Sequence, residues 1–259
     1  MPKDERALLL LLGYAANQVS MLQKLLNFAT NHTWSFEVEQ VATGVQTQML
    51  ARLMAGALNE AWILVSTRFI QNPLSRDYLS RLDPGGKQAL DALKQLFGRS
   101  NLLNAVRNNF AFHYPDTDQV EAAFDAALDD RDLDDLWNLY FSHHGFNSLF
   151  LLSDLVIAHG VSRAAAGADL VQGHTKFMGE MSAAAEHLME FAKAYMAAAW
   201  HKHFGQEMLA KDVVSITGAP NVDEVILPFF VELRLREPAS TAQVPADSAS
   251  PDAPPAWRR

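Results

Sequence analysis

The chain has 259 residues, 49% apolar and 20% charged, with a formal net charge of −9 and no cysteine. This is the balance of a globular protein able to bury a sizeable core, and it excludes disulfides, thiolate metal sites and cysteine nucleophiles. The negative charge argues against a broad basic nucleic-acid platform, so any RNA contact needs a local cationic cleft or one built across a dimer.

Residues 4–30 place Leu8, Leu11, Leu12, Ala15, Val19, Leu22, Leu25 and Leu26 at three- and four-residue intervals, which predicts an amphipathic helix. The run Ala7 to Leu12 follows Asp4 and Glu5, so it reads as part of that helix and not as a signal peptide. No apolar stretch approaches the roughly 20 residues of a membrane span. Absent cysteines suit a reducing compartment, and a cytoplasmic protein with no membrane partner is expected.

A second helix is predicted over 37–70, ended by Asn72-Pro73. Asp83-Pro84-Gly85-Gly86 predicts a turn and 87–97 a short helix. Ser100 can cap the next helix, which Pro115 stops. Further helices are expected over about 117–128, 133–144, 147–166 and 176–204, with a break at Gly145 and a C-cap at Gly205. After Val213 the pattern changes: Val213–Thr217 and Val225–Leu235 favour strands, the second weakened by Pro228. Residues 237–259, with five prolines, are expected to be a disordered tail dispensable for folding. The expected architecture is a mostly α, multi-helix bundle forming one helical domain over 1–236, with a short strand-like C-terminal segment before the tail.

The most informative segment is Arg107-Asn108-Asn109-Phe110-Ala111-Phe112-His113, followed by Tyr114-Pro115. Arginine holds a phosphate through a planar fork, and histidine moves a proton near neutral pH. In a straight helix Arg107 and His113 point about 120° apart, while Asn109 and His113 share a face. Direct cooperation of Arg107 with His113 therefore requires the helix to loosen before Pro115, or two protomers. The alternative is structural: Arg107 pairs with an acidic neighbour and His113 caps a helix C-terminus.

Arg107-Asn108 with His113, flanked by Leu102–Val106 and Phe110–Tyr114, resembles the motif helix of HEPN domains, the higher eukaryote and prokaryote nucleotide-binding family. Leu53–Trp62, with Asn59 and Glu60, resembles a segment of uncharacterised bacterial HEPN-like proteins. The resemblance covers about residues 5–160 by helical order and a few dozen residues by motif. It implies a HEPN-like bundle and a metal-independent RNA endonuclease, with a toxin or phage-defence setting. Motifs would pair across a homodimer cleft, and a protein antitoxin or regulator is an implied partner. His113 would then act as base or acid, Arg107 would stabilise phosphate charge and Asn108 would orient either group. Asn109 and Tyr114 are supporting candidates. Glu60 would line the cleft or pair with Arg107. The rival function is a non-catalytic helical interaction or dimerisation module on the same fold.

No motif calls for a cofactor, and no metal site is expected. His143-His144 and the pair His201, His203 diverge on a helix, and Lys202 with those histidines complements a helix C-terminus. The chain contains no Glu-x-x-His. Glu186, His187 and Glu190 do not replace it. Met178, Met181, Met189 and Met196 read as core filling.

Overall fold

Leucine and alanine spacing makes Lys3–Thr30 (α1) an amphipathic helix whose buried face carries Leu8, Leu12, Ala15, Val19 and Leu26. The computed structural model describes residues 1–31, 36–98, 102–130, 139–142, 147–166, 169–205 and 216–232. That chain is mostly helical. Helix α2 spans Glu37–Val65, and the Glu39 carboxylate accepts from the Phe36 backbone N–H at its start. The helix expected to continue to 70 instead widens into a π-turn over Ser66–Ile70, closed by the Gln71 N–H on the Ser66 carbonyl.

Two short helices follow, α3 (Leu74–Tyr78) and α4 (Pro84–Phe97). The Asp83–Gly86 turn expected before residue 87 is itself the start of α4. Asp83 accepts from the Gly86 N–H at 2.7 Å, and Pro84 occupies the first helical position, where its missing N–H is harmless. Helix α5 (Leu102–Val106) runs into a second π-turn, Arg107–Ala111, closed by the Phe112 N–H on the Arg107 carbonyl at 3.3 Å. The Ser100 cap lies outside the described residues. Helix α6 spans Thr117–Asp130.

The helices expected over 133–144 and 147–166 need correction where they are described. Leu139–Tyr140 (β1) and Leu149–Phe150 (β2) pair antiparallel, with Leu139 opposite Phe150 and Tyr140 opposite Leu149. Aromatic and branched side chains favour a ladder here, and Phe141 packs edge-on against Phe150 at 5.4 Å. Only then does α7 (Leu151–Ala166) begin. Helix α8 (Leu170–Phe204) starts earlier than expected because Asp169 caps it, accepting from the Gln172 N–H. It ends at Gly205, whose φ of 64° is the left-handed cap that glycine permits.

The strands expected after Val213 are not formed among the described residues. Val222–Glu224 is a 3₁₀ turn and 225–232 has no ladder partner. Pro228 lacks a donor, and its neighbours bond elsewhere. The Leu227 N–H reaches the Phe28 carbonyl, and the Asn147 side chain both accepts from and donates to the Val231 backbone. Residues 213–215 and 233–235, and the tail over 237–259, lie outside the described residues.

Helices α1, α2, α4, α7 and α8 pack around one large apolar core containing Leu12, Leu58, Phe69, Leu90, Phe177 and Phe191. Phe69 meets Phe191 at 5.2 Å and Tyr195 at 5.8 Å, both edge-on, as ring quadrupoles prefer. Met181 is buried in this core, and Met178, Met189 and Met196 pack against it. No described helix is long and apolar enough to cross a membrane.

One end of the core is closed by charge. Glu5, 3% exposed, accepts from the Tyr78 hydroxyl at 2.9 Å and pairs with Lys202 and with Nε2 of His203. Lys202 also pairs with Asp77 and lies 4.7 Å above the Tyr78 ring. Burial alone would raise the Glu5 pKa, but hydrogen bonds from Lys202, His203 and Tyr78 outweigh it and hold the carboxyl below its ordinary range. For Lys202, burial is outweighed by bonds to Asp77 and Glu5, and its ammonium is held protonated to higher pH than usual. Lys202 and His203 thus do more than complement the end of α8: they tie it to α1 and α3.

Candidate functional site

Met49, Arg52, Gly56 and Glu60 follow one another on α2 at spacings of three and four, so they form a single stripe. The segment 107–115 runs across this stripe in the opposite direction. Arg107 meets Glu60, Phe112 covers Gly56, and His113, Tyr114 and Pro115 share a cavity with Met49 and Arg52.

Two glycines seat the aromatic residues of the segment. A Cβ on Gly56 would stand 2.7 Å from the Phe112 ring, and one on Gly160 of α7 would stand 2.8 Å from the Phe110 ring. Each ring therefore lies against helix backbone that any side chain would push away. Phe110 and Phe112 pin the segment between α7 and α2.

Arg107 donates through Nη2 and Nε to Glu60 Oε1, at 2.6 and 2.9 Å, and through Nη1 to Asn108 Oδ1 at 2.7 Å. Asn108 donates in turn to Asn104 Oδ1. Among the described residues, two of the five Arg107 N–H groups have no acceptor. The ion pair is partly exposed, with side chains 27% and 48% accessible, so it orients Arg107 and contributes about 1 kcal/mol or less. Of the two roles open to Glu60, pairing with Arg107 is the one observed.

His113 lies just beyond the π-turn, in a bend, and is exposed. Its ring makes no hydrogen bond among the described residues, although it directly follows the end of the helical segment. The loosening of the helix before Pro115 is present, yet it does not bring Arg107 onto His113. Glu60 and Arg52 are eight residues apart on α2, about 12 Å along the axis, and the two motif side chains go to opposite ends of that interval. Asn109 is half-buried and also unbonded to His113, because the shared face of a straight helix ends where the π-turn begins. Tyr114 is 98% exposed at the cavity mouth.

The cavity holds about 340 Å³ and is also lined by Ser153 and Asp154, in the first turn of α7. Arg52 Nη2 donates to Asp154 Oδ1 at 3.2 Å. Arg52 is only 6% exposed, and its Nη1 is buried with no hydrogen-bond partner among the described residues. A second cavity of about 470 Å³ shares Asp154 and contains Gln48 bonded to His174 at 2.8 Å. Burial lowers the His174 pKa, favouring the neutral ring.

Arg52 and Asp154 were not among the residues singled out from the sequence. A signal for them exists: each is a lone charge inside a mostly apolar helical run, 50–57 and 151–158. Among the described residues no group of three or more His, Asp or Glu is placed to hold a metal ion. His143 and His144 lie outside the described residues.

The chain matches no protein-family model, no curated protein sequence and no solved structure.

Proposed function

We propose that the chain is a metal-independent RNA endonuclease of HEPN type, acting as a cytoplasmic homodimer with the 107–114 segments facing each other. The observation that carries this reading is the π-turn at Arg107–Ala111, after which the His113 imidazole has no hydrogen-bond partner among the described residues and borders a cavity. The motif pair is directed to opposite ends of one α2 stripe, so a second protomer would supply the complementary member. His113 takes the proton of a ribose 2′-OH, or gives one to the departing 5′-oxygen. The 2′-oxygen bonds to phosphorus, the bond from phosphorus to the 5′-oxygen breaks, and the products are a 2′,3′-cyclic phosphate and a 5′-hydroxyl. Arg107, oriented by Glu60 and Asn108, offers its two remaining N–H groups to the phosphate as negative charge builds. Regulation by a protein antitoxin belongs to the same reading.

A specific observation favours the second reading, a non-catalytic interaction module. Arg107 is already engaged by Glu60 and Asn108, and Met49, Phe112 and Tyr114 are exposed at the cavity toward the other end of the α2 stripe. One experiment separates the two. Purified protein is offered single-stranded and structured RNAs in EDTA, and the ends are analysed. Cyclic-phosphate ends, lost in both His113→Ala and Arg107→Ala, are expected. Cleavage that needs a divalent ion, or that survives both substitutions, overturns the mechanism. No cleavage across a broad RNA panel moves the assignment to the interaction module, and only monomer on sedimentation at micromolar concentration overturns the dimer.

A further inference from the structure

Arg52 is an unfinished ion pair. Its guanidinium is withdrawn from water, yet its only hydrogen bond among the described residues is the 3.2 Å contact to Asp154, and Nη1 has none. A buried cation in that state is costly, and the cost falls when further acceptors arrive. Asp154 holds it weakly, since its own side chain is 22% exposed and has water to turn to. The cavity beside this pair opens on His113, and its wall includes the first turn of α7, a 16-residue helix whose leading N–H groups favour negative charge. Three independent features therefore converge on an anion: a nine-tenths buried guanidinium with an unpartnered nitrogen, a helix N-terminus, and an empty volume large enough for a phosphate.

We propose that Arg52 and Asp154 form an exchange pair, in which the phosphate of an unpaired nucleotide displaces the Asp154 carboxylate from Arg52 at the cavity next to His113. Asp154 is the resident acceptor that keeps Arg52 in place when the cavity is empty. A phosphate brings more acceptor oxygens than the single one Asp154 supplies, and so also reaches Nη1 after a small rotation of the guanidinium. Tyr114 presents a freely accessible ring at the mouth, and Phe112 is 47% exposed beside it. These are surfaces on which the attached base stacks. The arrangement gives His113 a cationic companion within its own chain, at the end of the α2 stripe that Arg107 does not reach. This rests on the ribonuclease reading for its placement of His113, but binding by the exchange pair needs no turnover.

The test is calorimetric titration of the full chain with adenosine 3′-monophosphate, with adenosine and inorganic phosphate as separate arms. The nucleotide should bind and adenosine alone should not. Inorganic phosphate should bind more weakly, by the lost stacking. Asp154→Asn removes the competing charge and should tighten nucleotide binding several-fold. Arg52→Met should weaken it about tenfold or more, the scale of a lost charge-assisted hydrogen bond. The double variant Arg52→Met, Asp154→Asn leaves no unpaired charge and guards against misfolding of the single one. It should fold, by circular dichroism, and fail to bind. Unchanged binding in the double variant, weaker binding in Asp154→Asn, or no binding by the wild type each overturns the exchange pair. Nucleotide binding that follows this pattern without RNA cleavage overturns the ribonuclease and leaves the pair standing. Cleavage with wild-type kinetics in the double variant does the reverse.

Discussion

Two buried charge clusters sit in the same bundle and are finished differently. Around Glu5, a carboxylate meets a lysine, a histidine and a tyrosine hydroxyl, and the lysine meets a second carboxylate. Around Arg52, a guanidinium meets one oxygen at 3.2 Å, and a buried nitrogen has no hydrogen-bond partner among the described residues. The first cluster joins α1, α3 and α8. The second lines a cavity. A satisfied network fixes helices to each other, whereas an unsatisfied one beside empty space retains capacity for something not yet bound.

The contrast is broken most directly at Glu5. Glu5→Ala should destabilise the protein by about 3–5 kcal/mol in urea unfolding, because Lys202 loses its buried counter-charge and the Tyr78 hydroxyl and His203 lose their hydrogen-bond partner. A loss under about 1 kcal/mol would mean that water fills the gap and the cluster is no clamp.

Acid sharpens the same point. The folded pKa values of Glu5 and Asp77 lie below the ordinary 4.5 and 3.8, for Asp77 mainly through its bond with Lys202. A carboxyl depressed in the folded state releases its proton more readily there than in the unfolded chain. Its stabilisation is complete above the ordinary value and lost as pH falls through the depressed one. Unfolding free energy should therefore decline from about pH 4.5 downward. In Glu5→Gln that decline should be shallower, and an unchanged acid limb would assign it to other carboxylates.

The smallest effect is expected at the other cluster. Arg52→Met combined with Asp154→Asn should leave stability within about 1 kcal/mol of wild type, since an incomplete buried pair is replaceable by apolar packing. A loss comparable to that at Glu5 would make Arg52 a structural clamp as well.

How legible this was depends on how local each feature is. The period of α1 and the left-handed cap at Gly205 are written in neighbouring residues, and the sequence reading of each agrees with the structure. Leu139–Phe150 misled because short apolar and aromatic runs suit helix or ladder alike, and only the cross-strand partner decides. The π-turns left no periodic trace: Arg107–Ala111 differs from α-helix by one step in hydrogen-bond register. Arg107, Glu60 and Asn108 were legible as a group and do meet. Arg52 and Asp154 stand 102 positions apart, so their pairing belongs to the tertiary fold, although each lone charge was visible in its run.

Phe110 and Phe112 carry a further consequence. Their rings rest on bare backbone at Gly160 and Gly56, on two different helices, with one residue between them. The segment is in effect riveted at two points to separate beams. A change in the spacing of α2 and α7 cannot be absorbed within it and must twist the short span between the rivets. His113 is the next residue along. Its place in the chain is therefore set by both helices together, and not by either one alone.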